Sequence, residues 1–188
     1  GRVEVDGAAT FNAGAAGTID LDNVNNIFRN NVTITNALNA SIADSIGTLN
    51  FAGVNVQNDF EATSAAGSIT DSGTIEVDGD ADFDAQGNSN SVILDTADND
   101  FGGTVTVLNA NNVTLVYEDS ITLGQIDAND TANSDLTITT ANNGSITFDG
   151  PVTVSDNATI TSGGTGNITD TATGVLTIGD VATFNSGT

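Results

Sequence analysis

No cysteine, methionine, tryptophan, histidine or lysine occurs in this 188-residue chain; proline and tyrosine occur once each, and the only basic residues are Arg2 and Arg29. Each absence excludes something. Without cysteine there is no disulfide framework to oxidise and nothing to misbridge during export. With two cations against 25 acidic residues and a net charge of -23, the clustered Lys and Arg that hold phosphate are missing, so nucleic acid is not a partner. The same charge opposes docking on an anionic membrane surface. No apolar run approaches the ~18 residues of a spanning segment, so no membrane insertion is expected. Gly1 opens the chain without a signal-peptide pattern. The expectation is one segment, residues 1–188, of a longer repetitive chain.

What is present is repetition. Charged residues make up 14% of the chain and apolar ones 38%, and the apolar residues are placed too regularly for a disordered acidic tail. Val3-Glu4-Val5-Asp6-Gly7-Ala8-Ala9-Thr10-Phe11 recurs as Ile75-Glu76-Val77-Asp78-Gly79-Asp80-Ala81-Asp82-Phe83 and as Leu176-Thr177-Ile178-Gly179-Asp180-Val181-Ala182-Thr183-Phe184. Related openings stand at Val32, Val54, Val105, Leu136 and Val152, so eight starts are separated by 16 to 31 residues. Within each start apolar and polar residues alternate, the two-residue period of a strand. Thr, Val, Asn and Gly dominate where helix formers would be needed, and Asn142-Asn143-Gly144 and Phe101-Gly102-Gly103 read as turns.

Recurrence of the same apolar types favours parallel stacking, Val on Ile and Phe near Phe, over a β-sandwich. A single coil cannot bury its inner face, whereas its neighbours complete a continuous core. Stacked Asn at the turns can add hydrogen-bonded ladders. The fold expected is all-β, a right-handed parallel β-helix (β-solenoid) of about eight irregular coils, roughly 40 Å long at the ~4.8 Å strand spacing. The longer gaps are expected to hold an extra strand or a loop, and Phe11, Phe83 and Phe184 to occupy equivalent inward places.

Asn99-Asp100-Phe101-Gly102-Gly103-Thr104-Val105-Thr106-Val107, Asn111-Asn112-Val113-Thr114-Leu115, Ser120-Ile121-Thr122-Leu123-Gly124 and Ile146-Thr147-Phe148-Asp149-Gly150-Pro151-Val152-Thr153-Val154 resemble the repeats of filamentous-haemagglutinin-type adhesins. These are large, repetitive, cysteine-poor surface proteins of Gram-negative bacteria. The resemblance is carried best by residues 75–184. It implies a β-helix shaft, extracellular exposure at the cell surface, and a role in adhesion or biofilm.

The most specific local feature is the row Asp78, Asp80, Asp82, Asp84, with Glu76 before it. At alternate strand positions these carboxylates would share one outward face, and a calcium ion would relieve their crowding. Outward neighbours on one strand stand about 7 Å apart, so an ion would also need ligands from an adjacent coil. A solvated acidic face is the plainer account. No cofactor is required by anything else in the sequence.

An enzyme is not expected. Polysaccharide lyases of the β-helix fold need a basic residue and cations for the sugar acid, and only Arg2 and Arg29 are on offer, both near one end. Glycoside hydrolysis needs two carboxylates, which this composition supplies everywhere. One tyrosine, Tyr117, and no tryptophan leave no sugar-stacking platform. An ice-binding array of the Thr137-Ile138-Thr139 kind needs Thr-x-Thr on every coil, and unequal coils are expected to break it. Sequons at Asn31, Asn39, Asn112, Asn129, Asn143, Asn157 and Asn167 follow from composition.

The function expected is a structural or adhesive shaft of an extracellular, secreted bacterial surface protein, meeting a host or neighbouring-cell surface or a matrix polysaccharide. The alternative is a filament subunit that self-associates end to end or side by side.

Overall fold

The computed structural model describes residues 1–87 and 89–187. It is a β-solenoid: strands and turns, no helix among the described residues, and parallel pairing throughout. The first coil holds β1 (Glu4–Val5), β2 (Ala9–Asn12) and β3 (Thr18–Leu21). The second holds β4 (Ile27–Phe28), β5 (Val32–Ala37) and β6 (Asn39–Asp44). A long β7 (Leu49–Val56) and β8 (Phe60–Ser64) make the third, and β9 (Ile69–Asp71), β10 (Ile75–Val77) and β11 (Ala81–Asp84) the fourth. The fifth has β12 (Val92–Leu94), β13 (Asp100–Phe101) and β14 (Thr104–Ala110), and the sixth β15 (Val113–Tyr117) and β16 (Ile121–Ala128). The seventh has β17 (Leu136–Thr140), β18 (Ile146–Phe148) and β19 (Val152–Val154), and the eighth β20 (Ala158–Thr161), β21 (Ile168–Asp170) and β22 (Leu176–Ile178). β23 (Ala182–Asn185) opens a ninth.

Two sheets run along the stack. An 11-stranded sheet gathers β2, β5, β7, β9, β10, β12, β13, β15, β17, β20 and β23; a 10-stranded sheet gathers β3, β6, β8, β11, β14, β16, β18, β19, β21 and β22. Coil length varies: 18 residues separate the stacked pair Val105 and Leu123, and 26 separate Ile126 and Val152. Bulges and split strands absorb the difference. In β7, three steps from Phe51 to Val54 oppose two steps from Val32 to Ile34, and Gly53 takes the φ of +142° that this bulge requires. β16 divides, its first half pairing β18 and its second β19.

Alternation does the burying. On β15, β17 and β20 every second side chain points in, giving the buried column Leu115, Ile138, Ile160. An interior file of rings runs Phe51, Phe60, Phe83, Phe101, Tyr117, with centroids 5.2, 5.9, 6.0 and 4.9 Å apart and the first three contacts edge-to-face. Each such pair adds ~1 kcal/mol beyond the area it buries. The hydroxyl of Tyr117 sits inside this file with no hydrogen-bond partner.

The three sequence copies do not stack as equivalents. Phe83 lies on the 10-stranded sheet, paired with Ala62 and Val107, whereas Phe11 and Phe184 lie on the 11-stranded one. Val105–Val107 stacks on Ala81–Phe83, the second strand of its supposed counterpart, and not on Ile75–Val77. The alternating pattern marks a strand but is the same on either sheet, so matching short motifs cannot say which wall a strand belongs to. The long gaps are places where the motif changes wall.

Candidate functional site

The acidic row is broken by a corner. Glu76 ends on β10 beside Asn55 and Asp100, Asp78 and Asp80 flank Gly79 in the turn, and only Asp82 and Asp84 lie outward on β11. The expectation of four carboxylates on one strand face is therefore corrected: Gly79 lets the chain turn where alternation would have continued. Its backbone lies against the preceding coil, so close that an added Cβ would stand 2.7 Å from the Asn58 carbonyl carbon.

Asp80 already has an occupation. Its Oδ1 accepts the backbone N–H of Thr104 at 2.7 Å, its own N–H goes to Asp59 Oδ1 at 3.2 Å, and the Asp59 N–H goes to Asn39 Oδ1 at 3.3 Å. This is a staircase in which a side chain at each strand entry satisfies the amide of the next coil. A second runs through Ser68, Ser91, Asn112, Asp135 and Asn157, and a third through Ser120, Ser145 and Asn167. Asp84 accepts from Asn109 Nδ2 and Gln86 Nε2, both at 2.8 Å, and Glu76 from Asn55 Nδ2 at 2.9 Å. Among the described residues no three acidic side chains converge as ligands for one metal ion. The ladders expected from Asn are thus present, but mostly as side-chain oxygens serving backbone amides.

Acidic side chains gather elsewhere, across coils. Asp20, Ser41, Glu61 and Asp82 stand on successive rungs of the 10-stranded sheet and line a shallow groove of about 220 Å³ with Asp59. The Ser41 hydroxyl donates to Glu61 Oε2 at 3.3 Å. These neighbours are about twenty residues apart in sequence, so a scan along the chain passes over them; the register of the rungs is the signal that brings them together.

Threonines form columns too. Thr114, Thr137, Thr159 and Thr183 stack in register, and Thr139 stacks on Thr161. Unequal coils do not break this register, because loops and bulges take up the extra residues. Thr-x-Thr is nevertheless complete on β17 and β20 alone in this column, since Val116 precedes it and Asn185 follows.

Both arginines sit at the N-terminal end. Arg29 binds Glu4 Oε1 at 2.8 Å and Asp6 Oδ1 at 2.9 Å, which raises its pKa, and Arg2 pairs with Glu4. Burial raises the Asp44 pKa, even though the Phe28 N–H donates to its Oδ1 at 2.8 Å; its Oδ2 has no partner. Burial also raises Asp127, with repulsion from Asp130 adding to it. A carboxyl that is harder to ionise when folded binds its proton more tightly in the folded chain. Its stabilising contribution is full below the unfolded pKa near 3.8 and is lost as pH rises through the folded value. Self-repulsion among 25 carboxylates has the same sign. The stabilising contribution of Asp44 is therefore expected to decline as pH rises from about 4, and Asp44→Asn to flatten that part of the melting-temperature profile. A profile that Asp44→Asn leaves unchanged would contradict this account.

A family model described as repeats of unknown function (DUF5649) matches residues 1–35, 37–108 and 110–169. The chain belongs to this DUF5649 family. No curated protein and no solved structure matches it. The joints between matched DUF5649 stretches fall at Asn36 and Asn109, and both are sites of irregular register. Asn36 opposes Asn12 across a shift on β5, and Asn109 has a φ of +53° inside the shifted β14–β16 pairing. The DUF5649 stretch from 37 to 108 thus covers about three coils, bounded by a bulge at each end.

Proposed function

We propose that this chain is a structural, adhesive shaft of an extracellular bacterial surface protein, working by reach and stiffness and by contact with a cell surface or matrix polysaccharide. The observation that carries this reading is the continuous in-register stack, whose outward Asn, Ser and Asp side chains are largely committed to holding one coil on the next. Such a surface supports a spacer, and the resemblance to filamentous-haemagglutinin-type repeats supports the location. The scarcity of bases and of aromatic platforms supports a role without catalysis. Antibody raised against the folded segment is expected to label intact source cells without permeabilisation, and fluorescently tagged segment to be retained on their matrix. Labelling that appears only after permeabilisation would sink the extracellular reading. Surface labelling with no retention would leave reach as the function and remove adhesion from this segment.

A further inference from the structure

The two walls of the rod divide the charge unequally. On the 10-stranded sheet Asp20, Glu61, Asp82, Asp84 and Asp127 stand outward. On the 11-stranded sheet Thr70, Ile93, Thr114, Thr137 and Thr159 stand outward as one column in register. Val116, Thr139 and Thr161 form a second column beside it. Neither column holds a charge. The outward carboxylates of this sheet, Glu76 and Asp100, lie on the branch that pairs with the second half of β7, whereas the columns continue from its first half. Asp95 and Asp135 only border the wall, at the corners.

Three features say what covers this wall. The first is charge. A chain of net charge -23 repels its own copies wherever carboxylates face each other, and this wall lets two copies approach with none between them. The second is shape. β15, β17 and β20 pair without a bulge, so the wall is a regular pleat of β-branched side chains, strands about 4.8 Å apart and outward neighbours about 7 Å apart. Another wall of the same pitch fits it: side chains of one lie between the columns of the other, with the sheets about 10 Å apart. The third is area. Leaving out β10 and β13, nine strands of the sheet share the wall. At two outward side chains per strand they present roughly 600 Å² on each copy, a total of about 1,200 Å², at the lower edge of specific interfaces.

We infer that the 11-stranded wall docks face to face on the same wall of a second copy of this chain, the two rods side by side, with Thr137 and Thr139 inside the contact. The same surface serves both partners, so the contact is isologous and closes at the dimer. The small area makes it a weak, reversible one. The inference goes beyond the shaft reading and does not depend on cellular location: association is read on the purified chain, surface exposure on cells.

The test uses the 188-residue chain. Sedimentation velocity between 10 µM and 1 mM in 0.15 M salt is expected to show mass rising from monomer toward dimer and no further. Raising the salt to 0.5 M is expected to tighten the dimer, because it screens the repulsion between two copies of net charge -23. Thr137→Asp is expected to weaken association at least tenfold, since the dimer then holds two more carboxylates in its contact, and Val116→Asp to act alike. Thr137→Val keeps the shape without a charge and should leave the dimer intact. Thr147→Asp is the matched control, the same change at an outward position of the 10-stranded wall, and should leave association unaltered. All of these side chains point away from the core, so each variant should keep its fold, checked by circular dichroism. A chain that stays monomeric to 1 mM in 0.5 M salt overturns the inference, as does a mass that climbs past the dimer. Equal effects of Thr137→Asp and Thr147→Asp, or a dimer that salt weakens, would overturn it too.

Discussion

Phe83→Ala is expected to cost about 4 kcal/mol of unfolding free energy, read from the urea midpoint followed by circular dichroism. Phe83 is buried on β11, with Phe60 and Phe101 edge-on at 5.9 and 6.0 Å and Ala62 and Val107 in the rungs on either side. Truncation removes the ring's transfer energy and opens a cavity in the middle of the file. Parallel rungs on both sides are tied by backbone hydrogen bonds and cannot close on the gap. In a stack where each coil touches only its neighbours, a defect in a central coil weakens two interfaces at once. Phe184→Ala is the matched control: that ring is half exposed on the last strand, so the same substitution there should cost less than about 1 kcal/mol. A loss below ~1 kcal/mol at Phe83 would mean that the ring file is not packed as described.

Gly67→Ala is expected to be as damaging for a different reason. A Cβ at Gly67 would stand 1.6 Å from the carbonyl oxygen of Gly47 and 2.0 Å from its carbon. These atoms are backbone of the preceding coil and cannot rotate away, so two coils must separate at that corner. Overpacking with no side chain able to yield belongs at or above ~3 kcal/mol. Gly7→Ala places its methyl in open space and should change stability by less than ~0.5 kcal/mol. Equal midpoints for the two variants would remove close coil contact as the reason for glycine at that corner.

Strand identity and coiling were legible because alternation and recurrence are local properties. Val113–Tyr117 and Leu136–Thr140 announce their inward residues by type, and the structure buries them. What the sequence hides is the step from one coil to the next. The pairing of Glu61 with Asp82, or of Thr137 with Thr159, depends on register summed over corners and bulges. A bulge at Gly53 or a divided strand at β16 changes that sum by a residue or more. The acidic row shows the same limit in miniature. Asp78 to Asp84 alternates without a flaw, and a single glycine, whose missing Cβ matters only against the coil beneath it, breaks the strand. Asp80 then serves as a rung of the staircase, a role visible only once coils are superposed.

The three staircases have a direction. In each, the side-chain oxygen belongs to the earlier coil and the amide it receives to the later one: Asn39 for Asp59, Asp59 for Asp80, Asp80 for Thr104. A coil that has formed therefore already displays the acceptors its successor requires, while at these positions the successor offers nothing in return until its own strand entry is placed. Each coil therefore shows side-chain acceptors on the face toward its successor and strand-entry amides on the face toward its predecessor, so the two faces of a coil are chemically distinct and the rod is polar along its length.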